Sequence, residues 1–253
     1  MSEIFFDSTA DFYDEMIEIE QQILKRKESF AKLFFRKINF ALDIGCGSGA
    51  DIIALGNFVE KAIGIDISNK MIDNAKKNLK KFRNQNLNSS IKIMKYNIVD
   101  FNKEFENKFD LIVSLGNVLP NLNKVDLTRA LQNIESYLKP NGEFIFEFLN
   151  YEKIYKKNER IIKIREKKEW IYIRFYDLEK DCLGFNILRF KKKNFDENEI
   201  YSTIIYPIFI KTAEELLSKF SSLKFEIYGS LSKEQFDVEN SNNTVIFGKK
   251  LAN

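Results

Sequence analysis

Ile38-Asn39-Phe40-Ala41-Leu42-Asp43-Ile44-Gly45-Cys46-Gly47-Ser48-Gly49 is the stretch on which the fold turns. A short apolar run stops against three glycines at every second position, which reads as a buried strand entering a tight turn. A helix over about 50–57 follows, and residues 62–66 (AIGID) read as a second strand. Ser68 is a natural N-cap for a helix running through Phe82. Residues 91–96 (IKIMKY) alternate as a third strand should, and 109–115 (FDLIVSL) are an apolar fourth. A helix over 125–138 closes at Lys139-Pro140-Asn141-Gly142, ahead of a fifth strand at 143–149 (EFIFEFL). Strands alternating with helices predict an α/β fold, a Rossmann-like, doubly wound, mostly parallel sheet.

Outward from that core the rhythm changes. Upstream, residues 11–36 read as one helix, with Phe12, Met16, Ile19 and Ile23 on a common stripe. Downstream, 171–176, 185–190 and 201–208 have period two with no helices between them, which predicts an antiparallel β flap inserted after strand five. Thr212 is placed as the cap of a last helix (TAEELLSKF), and 223–228 with 244–247 complete a seven-stranded sheet. No internal repeat or linker interrupts the chain, so one domain is expected.

Composition narrows the chemistry. The chain has 253 residues, 44% of them hydrophobic, with 24 Phe and 10 Tyr, enough apolar area for a packed core. It contains no histidine, which closes Ser-His-Asp hydrolysis, Cys-His catalysis and His-ligated zinc. Two cysteines, Cys46 and Cys182, cannot build a four-thiolate metal site, and no metal is expected. No apolar run reaches the ~18 residues of a membrane helix. The acidic first residues do not resemble a signal peptide, so a cytoplasmic protein with no membrane partner is expected. A net charge of +3 makes no demand for an anionic partner. The lysine-rich runs, Lys76-Lys77 to Lys80-Lys81-Phe82-Arg83 and Arg189 to Lys193, read as solvated faces.

The glycine loop sits where a parallel sheet exposes backbone N–H groups to a ligand. Asp66, 21 residues after Gly45, holds the position of a carboxylate that accepts both hydroxyls of a ribose. Gly45, Gly47 and Ala50 also fit the dinucleotide pattern GxGxxG/A. Asp43 argues against that ligand, because a pyrophosphate at the loop would meet its carboxylate at close range. S-adenosylmethionine has no phosphate and carries an ammonium that Asp43 attracts.

Leu42-Asp43-Ile44-Gly45-Cys46-Gly47-Ser48-Gly49 resembles motif I of the class I S-adenosylmethionine-dependent methyltransferases. Ile65-Asp66-Ile67-Ser68 resembles their ribose motif, and Leu138-Lys139-Pro140-Asn141-Gly142 the turn before their fifth strand. More weakly, the chain is similar to the glycine N-methyltransferase-like small-molecule enzymes. That likeness is carried by Leu115-Gly116-Asn117, Asn150-Tyr151, Tyr206-Pro207 and Phe247-Gly248-Lys249-Lys250. The resemblance implies a cofactor site of Asp43, Gly45, Gly47, Ser48, Asp66 and Leu115. Asn97 and Ile98 would meet the adenine edge, Ile67 and Met71 its faces, and Tyr13 would lie over the cofactor. Arg26 is the candidate for the methionine carboxylate, with Lys25, Lys27, Lys32 and Arg36 as alternatives. Asn117, Glu147, Tyr151 and Tyr206 would face the acceptor, Asn117 orienting it and Glu147 holding a cation or acting as base. The glycine-methylating members carry an arginine where Leu149 stands here, so glycine is not the expected acceptor.

These implications amount to a methyltransferase with S-adenosylhomocysteine as product, acting on an amine or oxygen of a small polar metabolite. An O-methyltransferase of a sugar- or phosphate-bearing precursor is the alternative. Other readings are an RNA or protein methyltransferase, or a non-catalytic S-adenosylmethionine-binding protein. The lack of a nucleic-acid module or concentrated basic face argues against RNA. The expected parts are a lid helix at 1–36, a cofactor-binding core at 37–150, a substrate flap at 151–210 and a closing helix and strands at 211–253. The flap's strand edges leave homo-oligomer formation open.

Overall fold

The computed structural model describes residues 2–35, 38–82 and 89–252. Arg36 and Arg83 lie outside them. Helices α1 (Ser2–Ile17) and α2 (Ile19–Leu33) lead into the α/β alternation. It runs β1 (Ile38–Ile44), α3 (Ala50–Leu55), β2 (Val59–Asp66), α4 (Asn69–Phe82) and β3 (Ser90–Lys95), then β4 (Phe109–Ser114), α5 (Lys124–Tyr137) and β5 (Leu138–Leu149). After α6 (Tyr151–Lys157) come four flap strands, β6 (Ile161–Lys167), β7 (Trp170–Leu178), β8 (Leu183–Lys191) and β9 (Asn194–Ile205). Helix α7 (Ile210–Leu217), β10 (Leu223–Tyr228) and β11 (Asn243–Lys250) end the fold.

Seven strands form one sheet in the order β10-β11-β5-β4-β1-β2-β3. Strands β1 to β5 pair in parallel, and β11 enters antiparallel between β5 and β10. Alternate residues send side chains to opposite faces, so each strand serves two cores. Leu42, Ile44, Ile112 and Phe144 pack with Leu131 and Ile134 of α5 and Leu216 of α7. Ala41, Leu111 and Val113 pack with Ile23 and Phe30 of α2, Ile52 of α3 and Ile72 of α4. The chain leaves the sheet's centre through β1 towards β3, then returns to β4 on the other side of β1. That makes the carboxyl ends of β1 and β4 the topological switch point, where such sheets receive ligands.

The expected α/β sheet and antiparallel flap are both present, with local differences. Among them, Lys139-Pro140-Asn141-Gly142, expected as a turn, lies inside β5, which shifts register there. The single helix expected over 11–36 is two helices, broken at Glu18, whose φ of 59° is left-handed. No glycine announces the break. It is held from outside, because the Glu18 carboxylate pairs with Arg165 and Lys167 on β6. The flap has a fourth strand, β6, whose mixture of charge and half-exposed apolar residues hid it. Helix α6, which the sequence reading lacks, begins where the Asn150 side chain accepts the Lys153 N–H. Thr212 lies inside α7 and does not cap it; the Ile210 N–H donates instead to Glu152 Oε1 at 2.6 Å. Ser68 does cap α4, its Oγ accepting the Met71 N–H at 3.1 Å.

The flap forms its own sheet, β6-β7-β8-β9, and lays one face on α1. Phe5, Phe12 and Met16 pack there against Tyr172 and Ile187. The Arg189 guanidinium sits 4.1 Å from the Phe12 ring centre and 4.5 Å from that of Trp170. On its other side α1 is tied to α4 by polar contacts. Ser68 Oγ donates to Asp7 Oδ1 at 2.5 Å, Asn74 Nδ2 to the Ala10 carbonyl at 2.7 Å, and Asn78 Nδ2 to Asp14 Oδ2 at 2.7 Å. No helix among the described residues is long and apolar enough to cross a membrane.

Candidate functional site

The glycine loop leaves β1 by a sharp left-handed turn. The N–H groups of Gly45 and Cys46 both donate to the Ile65 carbonyl, at 2.8 and 2.9 Å. Gly45 has φ +69°, and a Cβ there would lie 2.4 Å from Val118 Cγ1, so no side chain fits. Gly47 has φ +50° with no heavy atom within 4 Å of where its Cβ would stand, so the loop is open on that side. Asp66 closes the loop from β2, its two oxygens accepting the Gly47 and Ser68 N–H groups, each at 2.9 Å. Burial raises its pKa, and those two N–H groups pull it back down. Ser48 is buried with Oγ unpartnered, while its carbonyl accepts Asn78 Nδ2 at 2.9 Å. Cys46 fills a small gap against Gly64, and burial pushes its thiol well above the usual range.

Beneath the loop lies a cluster of opposite charges. Asp43, 1% exposed, ends β1 with Oδ2 lacking any hydrogen-bond partner. Arg26, from the buried face of α2, reaches Asp51 of α3, Nε to Oδ1 at 2.6 Å, and donates through Nη2 to Glu147 Oε2 of β5. Glu147 also accepts the Gly116 N–H at 3.3 Å and Asn243 Nδ2 at 3.4 Å. Burial and repulsion from Asp51 hold the Asp43 carboxyl well above the ordinary carboxylate range, against the pull of Arg26. Burial likewise raises Asp51. It works against the Arg26 cation too, yet Asp51 and Glu147 keep that group more firmly protonated than an ordinary arginine. Three carboxylates, Asp43, Asp51 and Glu147, thus lie around one guanidinium, with Asp66 close to Asp43. Arg26 and Glu147, expected on the methionine carboxylate and at the acceptor respectively, are engaged with each other. Asp51 was missed, although an acid in the first turn of α3, directly after the loop, was the available signal.

Towards the flap, Asn117 follows β4 with φ +74°, a conformation asparagine tolerates. Its Oδ1 accepts the Leu149 N–H at 3.1 Å and the Tyr151 hydroxyl at 2.8 Å. A backbone N–H can only donate, so the amide orientation is fixed and Nδ2 is turned away from both. Tyr151 is fully buried, whereas Tyr206 is half-buried and anchored by its N–H on the Pro120 carbonyl at 2.7 Å. Tyr13 comes from α1, its hydroxyl pushed up to about 12 by burial and within electrostatic reach of Arg174, Asp66 and Asp51. On the far side, Asn97 Oδ1 accepts the Val99 N–H at 3.1 Å and so shapes the turn after β3. The Ile98 carbonyl is held by Asn133 Nδ2 at 2.7 Å. Met71 and Leu115 are buried and Ile67 is half-buried. A separate groove of about 550 Å³, lined by Phe34, Phe144, Phe225 and Phe247, lies against the middle of β5, before Glu147 along the strand. It takes no part in this arrangement.

The strand order, the loop at the switch point and the acid ending β2 define the class I S-adenosylmethionine-dependent methyltransferase fold. Residues 41–142 match the family described as Methyltransferase domain. A demethylmenaquinone methyltransferase of Lactobacillus johnsonii is 35% identical over 144 residues, 54% of this chain and 56% of that protein. The chain spans about half the length of the curated relatives it matches. Among solved structures, the CcbJ methyltransferase of Streptomyces caelestis superposes with a TM-score of 0.79 at 16% identity, covering 98% of each chain. An S-adenosylmethionine-dependent methyltransferase of Clostridium acetobutylicum ATCC 824 gives 0.73 at 18% identity, over 98% of this chain and 99% of that one.

Proposed function

We propose that the protein transfers the methyl group of S-adenosylmethionine to an amine or oxygen of a small polar molecule held between the switch point and the flap. The observation that carries this reading is the acid-rich floor of the glycine loop, with Asp43 Oδ2 and Ser48 Oγ buried and unpartnered. Buried polar atoms without partners cost free energy, so a ligand that satisfies them binds with that gain. An ammonium suits the carboxylates, and a pyrophosphate does not. In this reading Asp66 would accept the ribose hydroxyls, Ile67 and Met71 would meet the adenine faces, and the opening at Gly47 would admit the amino-acid end.

When bound, S-adenosylmethionine supplies a methyl group already activated by its sulfonium. The protein's own contribution is then proximity and orientation, worth roughly 7–11 kcal/mol in well-oriented systems. Asn117 is suited to this, because its fixed amide presents N–H donors to an oxygen of the acceptor and leaves the attacking lone pair free. Glu147, bound to Arg26, acts as a positioning residue for that guanidinium. With no histidine in the chain, acceptors that need no strong base, a neutral amine or an ionised oxygen, fit best.

Calorimetric titration with S-adenosylhomocysteine and with NAD tests the cofactor reading. S-adenosylhomocysteine is expected to bind and NAD not to, and the reverse result would sink it. Asp66→Asn should weaken S-adenosylhomocysteine roughly 10- to 100-fold, the worth of a charge-assisted hydrogen bond.

A further inference from the structure

We propose that Arg174 binds the acceptor and selects molecules that carry a carboxylate or phosphate apart from the atom to be methylated. This rests on the methyl-transfer reading above and deepens it by naming the substrate class. Among the described residues, Arg26, Arg129, Arg165 and Arg189 each have a carboxylate within 4.0 Å, and Arg160 donates to Asn158. Arg174 is half-buried and makes no ion pair or hydrogen bond to any of them. A guanidinium withdrawn from water without a counter-charge is costly, and its planar fork matches the two-oxygen edge of a carboxylate or phosphate.

Its position points the same way. Tyr172, Arg174 and Tyr176 alternate onto one face of β7, the face that Tyr172 packs against α1. The Arg174 charge acts on the hydroxyls of both Tyr13 and Tyr176, which places it between α1 and the flap. Neither hydroxyl has a hydrogen-bond partner among the described residues. Tyr176 in turn neighbours Tyr151, whose hydroxyl is bound to Asn117. A continuous row therefore runs from the expected methylation point at Asn117 to an unpaired cation on the flap. The carboxylates under the glycine loop repel an anion, so an acceptor gripped by Arg174 has only one favourable direction, anion to the flap and nucleophile to the loop. The arginine that is absent at Leu149 is thus supplied from a different element.

The test uses the whole protein saturated with S-adenosylhomocysteine, titrated separately with acetate and inorganic phosphate, as wild type, R174Q and R174K. At least one anion should bind wild type, and R174Q should weaken it roughly 10- to 100-fold. R174K should fall between, and whichever anion binds better decides between carboxylate and phosphate. S-adenosylhomocysteine affinity, measured on the same samples, should be unchanged and the melting temperature of R174Q equal to wild type or higher, because Arg174 has no partner among the described residues to lose and its removal relieves an uncompensated charge. No anion binding by wild type, or equal binding by R174Q, overturns the proposal. So does altered S-adenosylhomocysteine affinity with unaltered anion binding, which would make Arg174 a distant counter-charge to the acid cluster. If wild type fails to bind S-adenosylhomocysteine at all, the cofactor reading falls and takes this proposal with it.

Discussion

Arg26 holds two buried carboxylates while a third, Asp43, lies within reach of its charge. Removing one partner from a buried ion pair leaves uncompensated charge and costs about 3–5 kcal/mol. Arg26→Met should therefore lower the melting temperature by on the order of 10 °C for a chain of this size. An unchanged melting curve would show that the cluster does not form. The same residues set a pH dependence. Asp43, Asp51 and Asp66 have folded-state values above the ordinary 3.8, so keeping them ionised costs the ligand-free protein stability at neutral pH. That cost is relieved as pH falls through the raised values towards 3.8. A bound ammonium needs them ionised, so the stabilisation given by S-adenosylhomocysteine should shrink from pH 7.5 to 5.5; melting curves with and without ligand would show it. Asp43 and Asp66 were legible in the sequence because each adjoins the loop or ends the next strand. The pairing of Arg26 with Glu147, 121 residues apart, left no local trace.

At the scale of elements, α1 is the piece that joins the two sheets. Its contacts with α4 include hydrogen bonds to Asp7, Ala10 and Asp14, and its contacts with the flap are mainly aromatic, with the Tyr172 hydroxyl donating to Glu15 Oε2 at 3.2 Å. Arg189 fastens the aromatic side, between Phe12 and Trp170 and paired with Glu199. Arg189→Met should cost roughly 1–2 kcal/mol. It should speed amide exchange in α1 and β7–β9, leaving β1, β4 and β5 as protected as before; uniform loss of protection would contradict a separate clasp. The central parallel strands β1 and β4 were readable because burial on both faces makes each a nearly continuous apolar run, and the edge strand β3 because it alternates. Strand β6 was not, since its pattern of Ile and Lys is that of a half-wet edge. The break at Glu18 was hidden because ion pairs to β6 hold it, and no residue with a backbone preference marks it.

For the molecule as a whole, the sheet and the glycine loop were legible because they are written by neighbours in sequence, whereas the flap's place against α1 depends on residues as distant as Phe12 and Tyr201, whose rings lie 5.3 Å apart. Trp170, the chain's single tryptophan, sits in that seam and should report its closure. On refolding, its fluorescence should recover after the far-ultraviolet helix signal, and S-adenosylhomocysteine binding should return with the fluorescence; ligand binding that precedes it would separate the seam from the site. The seam also imposes an order in time. Helix α1 leaves the ribosome long before β9, and at 5–20 residues per second the wait is about 10–40 s. Throughout that interval Phe5, Phe12 and Met16 have no flap to cover them. During synthesis this helix is therefore an exposed apolar surface that a chaperone can hold, and the cleft it covers is finished only once β9 has emerged.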